Sequence, residues 1–280
     1  MTDSHNQTNI NLAPNQGLTQ VVFAPNGSSA EGDGLTYSDF GTVVDQISDF
    51  PGQYEIIVDP GPPPANAALP TVTIPPGTYD FEHRVRLVGA QAVNPVIITG
   101  VVFQNLIGAR DIDFQHAGTG ATAPFESNVA GDTEIIEFVR CTFDNLAGAT
   151  LPIIRATGAG GFWTIYTDGC RFTQNSVEPI DAEDALSQIR LFSRSTQFGS
   201  NAQSVMSGLG TIEVDVDSAS TLWPDVQSID ATGTLTVNRE DGFYVAAADT
   251  ANWVNPDPRN YQDAISRIAA AVAGALGAIP

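Results

Sequence analysis

The residues of this chain that could do chemistry are its carboxylates. Glu134 and Glu137 fall on one predicted coil, Asp144 and Asp168 follow, and an acidic cluster lies after residue 177. The cluster comprises Glu178, Asp181, Glu183 and Asp184. Two carboxylates about 5–10 Å apart across a sugar would suit glycoside hydrolysis. However, 32 acidic residues produce such clusters by composition alone, and acids at 181–184 also suit the first turn of a short helix. We therefore expect a solvated acidic surface and no catalytic residue.

Polysaccharide lyase chemistry would need a basic residue beside several acidic ligands for Ca²⁺. The chain has 11 basic residues, all of them arginine, so the base would be Arg140, Arg171 or a histidine. The histidines are His5, His83 and His116, and their scattered spacing predicts no metal site. The sequence contains neither a Walker-type phosphate loop nor a serine in a nucleophile elbow. We expect no cofactor.

The charge balance narrows the classes of partner. The formal net charge is −21 and the sequence pI is about 4.1. Such a surface repels nucleic acid, and it repels itself at low salt. At 1 M salt the Debye length falls to about 3 Å, which screens that repulsion. The composition resembles that of proteins from extreme halophiles and their viruses; an ordinary acidic surface is the alternative.

The elements that must position these side chains are indicated by a repeat. Phe114, Phe143 and Phe172 recur at 29-residue intervals, and Phe198 follows 26 residues later. Columns two and seven residues before each Phe are also mostly apolar: Ile112, Cys141, Cys170 and Thr196, and Ile107, Ile136, Ile165 and Leu191. Apolar residues two apart with a polar residue between them share one face of a strand. A fixed period of 20–50 residues with strand spacing predicts a parallel β-helix; the alternative is a β-sandwich with chance spacing.

Two residue types in these turns leave alternatives open. Cys141 and Cys170 fall one turn apart in the same inward column, and we favour two buried free thiols over a disulfide. Asn145, Asn175 and Asn201 follow their Phe at varying offsets. They suit either a stacked asparagine ladder or ordinary turns.

A short helix is predicted at about 38–48, before the first turn of the solenoid. Phe40, Val43, Val44 and Ile47 have helical spacing, and Ser38 or Asp39 can cap the N-terminus. A helix there would cover the open end, where apolar side chains and strand edges would otherwise be exposed. A single domain of this kind would occupy residues 21–250, after a polar arm at 1–20.

The N-terminal third carries a family resemblance. The residues are the turn Gly32, Asp33 and Gly34, and a strand exit made of Ile74, Pro75, Gly77 and Tyr79. They resemble the opening of the pectin-lyase-like right-handed β-helix, a family of polysaccharide lyases, glycosidases and many phage tailspikes. The resemblance implies an all-β, right-handed parallel β-helix. The acidic pair usual after the Gly-Asp-Gly turn is replaced by Tyr37-Ser38-Asp39, so the resemblance implies architecture rather than catalysis.

The C-terminal segment, residues 251–280, changes character. Asn255-Pro256-Asp257-Pro258 is typical of a linker that ends in a helix start. After it comes an apolar seam with heptad spacing: Tyr261, Ile265, Ile268, Val272, Ala275 and Ile279. This pattern predicts a C-terminal α-helix for self-association; the alternative is a helix that docks on its own solenoid or on another virion protein.

Together these features favour a non-enzymatic virion structural protein, such as a capsid decoration, turret or spike subunit of a tailed virus with a halophilic host. We expect a homotrimer, with a pentamer as the alternative, and partners such as the major capsid protein or host surface glycans. The N-terminus shows no signal peptide and no apolar run reaches membrane length, so we expect synthesis in the host cytoplasm and no membrane contact. The alternative functions are a tailspike-type polysaccharide lyase or hydrolase on the same fold, and a cell-surface adhesin.

Overall fold

The chain forms an all-β parallel solenoid in the computed structural model. The structure describes residues 18–26, 36–49, 51–61, 70–90, 94–118, 121–128, 133–158, 160–174, 177–198, 206–217, 221–222, 229–231, 234–239, 267–268 and 270–271. Within them lie a succession of short strands and the helix Phe40–Ser48, which we call α1; residues 267–268 and 270–271 also have helical backbone.

The strands, in chain order, are β1 Thr19–Phe23, β2 Thr36–Tyr37, β3 Gln53–Val58, β4 Val72–Thr73, β5 Gly77–Gly89, β6 Asn94–Ile97, β7 Val101–Arg110, β8 Ile112–His116, β9 Phe125–Ser127, β10 Thr133–Val139, β11 Thr142–Asn145, β12 Ile154–Ala156, β13 Phe162–Asp168, β14 Arg171–Gln174, β15 Ile180–Ala182, β16 Gln188–Arg194, β17 Gln197–Phe198, β18 Met206–Gly208, β19 Thr211–Val216, β20 Thr221–Leu222, β21 Ile229–Ala231 and β22 Thr234–Arg239.

The strands form a 15-stranded sheet, which divides into two stacks joined at β7, and a separate 7-stranded sheet, and every pairing between described strands is parallel. We call the stack β9, β12, β15, β18 and β21 the short-strand sheet, and the stack β10, β13, β16, β19 and β22 the long-strand sheet. The third sheet contains β4, β6, β8, β11, β14, β17 and β20. Near the N-terminus β7 spans a corner, because it pairs with β9 through Phe103 and with β10 through residues 108–110. The chain therefore visits the three sheets in turn, as a solenoid does, and a sandwich is excluded.

The predicted phenylalanine column is confirmed. Phe114, Phe143, Phe172 and Phe198 are register partners in the third sheet. The rings of Phe143 and Phe172 stack with centroids 4.5 Å apart, and those of Phe114 and Phe143 with centroids 5.6 Å apart. The rings of Phe114, Phe143 and Phe172 therefore bury their faces against neighbouring turns, which is where a solenoid gains its apolar stabilisation.

The predicted column seven residues before each Phe is buried in three of its four turns. Ile136, Ile165 and Leu191 are fully buried, but Ile107 is only half-buried. The pairing of β5 with β7 is irregular at this point, and Asn105 adopts φ 60. This irregularity shifts the inward position by one residue, so that Leu106 takes the buried place. The expectation for Ile107 was therefore wrong.

The predicted helix is present. The Asp39 carboxylate accepts a hydrogen bond from the Thr42 backbone N–H at 2.7 Å, and it is the N-cap. The apolar positions Phe40, Val43, Val44 and Ile47 are all buried. The Phe40 ring packs edge-on against Tyr79 at 4.8 Å, so the helix contacts the strand-exit motif noted in the sequence. Its covering of the solenoid end stays a prediction, as does the handedness of the coil.

Several expectations concern residues outside the described part of the chain. They include most of the N-terminal arm, the Gly-Asp-Gly turn, and five of the six seam residues, Tyr261, Ile265, Val272, Ala275 and Ile279. The sixth, Ile268, has helical backbone and is 52% exposed. Within the described ranges, no helix has the length and apolar character needed to cross a membrane.

Candidate functional site

The structure separates most of the candidate acids. Glu134 and Glu137 both lie on β10, and so on one coil as predicted, but an odd spacing in a strand puts their side chains on opposite faces. Glu137 forms an ion pair with Arg86 at 2.8 Å on the outside of the long-strand sheet. Asp144 belongs to the third sheet, where it accepts a hydrogen bond from the Thr173 hydroxyl at 3.1 Å. These acids therefore form no common site.

A polar column on the short-strand sheet does bring functional side chains together. Parallel pairing makes Glu126, Arg155, Asp181 and Ser207 consecutive register partners on β9, β12, β15 and β18. They alternate with buried residues along each strand, so they lie on the outer face. We call these four residues the polar column. Sequence reasoning missed Glu126, Arg155 and Ser207, although their spacings of 29, 26 and 26 residues are those of the repeat.

The first two residues of the polar column, Glu126 and Arg155, form a buried ion pair. The Nε atom of Arg155 donates to Oε2 of Glu126 at 2.9 Å, and another guanidinium N–H donates to the Ala121 carbonyl at 2.7 Å. The Ala123 backbone N–H donates to the same Glu126 carboxylate at 3.0 Å. The side chains of Arg155 and Glu126 are 11% and 7% exposed. A pair that is covered and hydrogen-bonded in this way ties two turns of the solenoid together.

Two acids of the predicted cluster flank this pair. The Thr157 hydroxyl contacts Oε2 of Glu183 at 2.7 Å and Oδ2 of Asp184 at 3.1 Å. The Gly158 backbone N–H donates to the same Asp184 oxygen at 2.5 Å. The predicted helical turn at 181–184 is wrong, because Asp181 belongs to a strand and residues 183–187 form a turn. The pairing of β15 with β12 and β18 determines the backbone at Asp181.

Asp181 is the chemically distinctive member of the site. Its carboxylate accepts a hydrogen bond from the Ser207 hydroxyl at 3.1 Å. Burial raises the pKa of Asp181 from 3.8 to about 6, Glu183 and Glu178 add to that rise, and Ser207 and Arg155 oppose it. A carboxyl with this pKa exchanges its proton near neutral pH, as a general acid does. Glu183, two residues further along the chain and just after β15, has a side chain that is 47% exposed.

The residues considered for lyase and metal chemistry lie elsewhere. Arg140 forms a two-point ion pair with Asp111, with both N–O distances 2.7 Å, and Arg171 is exposed on the third sheet. His116 is 1% exposed, and neither of its ring nitrogens has a hydrogen-bond partner. Burial lowers the pKa of His116, so it is a neutral core residue. The described ranges contain no group of three or more His, Cys, Asp or Glu side chains that could hold a metal ion.

The structure also places the two cysteines and Asn145. Cys141 and Cys170 are free, 1% exposed and adjacent, with the Cys141 backbone N–H 3.4 Å from the sulfur of Cys170. Burial raises the pKa of the Cys141 thiol. Asn145 is buried and donates to the carbonyls of Val177 and Glu178. It therefore binds the following loop; Asn175 and Asn201 lie outside the described residues, and the ladder stays a prediction.

Comparison of the chain with protein-family models, with curated proteins and with solved structures finds no match. The likeness to the pectin-lyase-like fold therefore rests on the parallel solenoid and on the strand-exit residues. Ile74 in this motif is fully buried, and the Tyr79 hydroxyl donates to the Pro75 carbonyl at 2.8 Å. Both contacts are architectural.

Proposed function

We propose that this protein is a non-enzymatic structural subunit of a virion surface, a capsid decoration, turret or spike of a tailed virus with a halophilic host. The observation that supports this most is the use of the clustered carboxylates. Glu126, Glu183 and Asp184 each accept hydrogen bonds from a neighbouring strand or turn. Their role is to hold successive turns together, as a rigid shaft requires.

The segment after the solenoid suits association on a particle. Ile268, a seam residue, exposes a large apolar side chain in a helical segment, which suits packing against another chain. A helix that follows a solenoid can join three copies around one axis. We propose a right-handed coil, covered at its N-terminal end by α1, with residues 257–280 as the trimerising helix.

The acidic composition supports a saline environment. A subunit with a net charge of −21 repels its own copies at low ionic strength. Molar salt reduces this repulsion to contact distances, because the Debye length is then about 3 Å. Assembly of such a subunit therefore fits a virion that meets its host in concentrated brine.

The experiment that tests this function measures mass and sugar cleavage together. Light scattering in molar salt is applied to the full chain and to a chain ending at residue 256. We expect a trimer that falls to a monomer on truncation, and no release of reducing ends from polysaccharides. Release of reducing ends by the full chain would overturn the non-enzymatic assignment.

The second candidate function is a polysaccharide hydrolase, which the pKa of Asp181 specifically favours. Asp181, whose pKa burial raises to about 6, would act as the general acid, and Glu183 would be the second carboxylate that glycoside hydrolysis requires. In this case Asp181→Asn and Glu183→Gln abolish cleavage. Glu137 is an exposed carboxylate on the long-strand sheet, so Glu137→Gln is the matched control and should retain sugar cleavage.

A further inference from the structure

The outer face of the long-strand sheet is unlike the rest of this acidic molecule. We call the outward-pointing side chains of this sheet, including the parts of β3, β5 and β7 that pair with it, the long-strand face. Its strands are parallel, and from β10 through β13 and β16 to β19 they pair in continuous register, so the outward side chains there form columns along the solenoid axis.

Exposed apolar side chains concentrate there. Of the six exposed large hydrophobic residues in the described part of the chain, Ile135 at 58% and Tyr166 at 44% lie on the face itself. Leu186 at 66% and Leu209 at 56% lie on the turns that lead into β16 and β19, at the edge of the face. Exposed apolar side chains gathered on one face favour association.

The aromatic residues of the face suit a protein rather than a sugar. The Tyr166 and Phe192 rings stack with centroids 5.0 Å apart and an interplanar angle of 12°. Because they are register partners on adjacent strands, the stacked faces lie along the solenoid axis and the ring edges point outward. A sugar stacks on an open ring face, whereas protein side chains pack equally well against ring edges.

The charges of the face are balanced, although the chain carries −21. Among the side chains that the structure describes, five arginines point outward from the paired stretches of this sheet: Arg84, Arg86, Arg110, Arg190 and Arg194. Five carboxylates do the same: Glu55, Glu137, Asp168, Glu213 and Asp215. Five positive charges minus five negative charges leave no net charge. Ion pairs at 2.8 Å and 2.7 Å already join two of these pairs across strands.

We propose that a second copy of this chain docks on the long-strand face. Two molecules with a large negative charge can approach closely only where each presents both signs in equal number. The short-strand sheet does not qualify, because Asp181, Glu183 and Asp184 lie there. The inference deepens the proposed function, on which it rests, by naming the surface through which neighbouring subunits associate.

The test places a charge in the centre of the face without adding to the acidity of the chain. Tyr166→Arg is compared with Thr142→Arg, which makes the same change of charge at an outward position of the third sheet. Light scattering over a concentration series in molar salt measures the dissociation constant of the full chain. We expect Tyr166→Arg to raise it by at least about 30-fold, as loss of an interface hot spot does. Thr142→Arg should change it less than about threefold.

A milder variant, Tyr166→Ser, keeps the strand and removes only the ring, and it should give an intermediate loss at an unchanged Tm. An oligomer that dissociates identically in wild type and Tyr166→Arg would overturn the docking face and leave the subunit role standing. A wild-type chain that stays monomeric, while Tyr166→Arg lowers its Tm, would identify an intramolecular occupant and also overturn it. Sugar cleavage by the full chain would instead overturn the proposed function and leave the docking face untouched.

Discussion

Replacing Asp181 by Asn should stabilise this protein at neutral pH. The native environment raises the pKa of Asp181 from 3.8 to about 6, so above pH 6 folding holds an ionised carboxylate in a place that disfavours it. A rise of this size corresponds to roughly 3 kcal/mol. Asp181 is half-buried, and solvent screening reduces the effect to about 1–2 kcal/mol. Asn is neutral at every pH and retains an oxygen that can accept from Ser207.

The sign of the pH dependence follows from linkage. Because the folded pKa is raised, Asp181 contributes stability that is fully present below about pH 4 and is lost as the pH rises through 6. The stability difference between Asp181→Asn and wild type should therefore be largest at pH 7.5 and vanish near pH 4. His116 acts oppositely, because its lowered pKa removes stability as the pH falls below about 6.5. Its contribution cancels in the difference between the two proteins.

Thermal unfolding in molar salt at several pH values measures this effect. We expect Asp181→Asn to raise Tm by about 2–5 °C at pH 7.5, with the gain shrinking toward pH 4. Ser207→Ala is the matched control. It removes a hydrogen bond that favours the ionised carboxylate, so the stability of Ser207→Ala should fall more steeply with rising pH than that of the wild type. An Asp181→Asn protein that is less stable at pH 7.5, or whose gain is the same from pH 4 to 8, would refute the reasoning.

Four further predictions concern the packing of the solenoid and its charge. Arg155→Met should cost about 3–5 kcal/mol in denaturant unfolding, because it leaves the Glu126 carboxylate buried and unpaired, and adding Glu126→Gln should recover most of the loss. Gly108→Ala should cost about 1–3 kcal/mol, because a Cβ there would lie 2.6 Å from a backbone oxygen on the next strand; an unchanged unfolding midpoint would contradict that contact. Cys141 and Cys170 should react with a thiol reagent only after denaturation, since both are 1% exposed, and rapid labelling of the native protein would show that the column is accessible. The Tm should rise steeply between low and molar salt, and a flat response would remove the argument for a salt-adapted surface.

The solenoid was predictable because its stabilising contacts repeat along the chain. Phe114, Phe143 and Phe172 are 29 residues apart in sequence and one turn apart in space, so a one-dimensional period reports a three-dimensional stack. The same logic located the cysteine pair and the helix at Phe40–Ser48, whose spacing is local. It failed at Ile107, because the irregular register between β5 and β7 depends on how two strands meet and not on either strand alone.

The candidate site shows the other side of this division. The sequence by itself determined the strand period, the inward columns, the arginine-only basic residues and the large negative charge. Only the tertiary structure decided which charges meet. It joined Arg155 to Glu126 across 29 residues, raised the pKa of Asp181 by burial, and gathered five arginines on one face. Apolar burial is set by residue type and local alternation, whereas the energy of a charge depends on its distance to other charges and on its depth below solvent, which exist only after the turns have stacked.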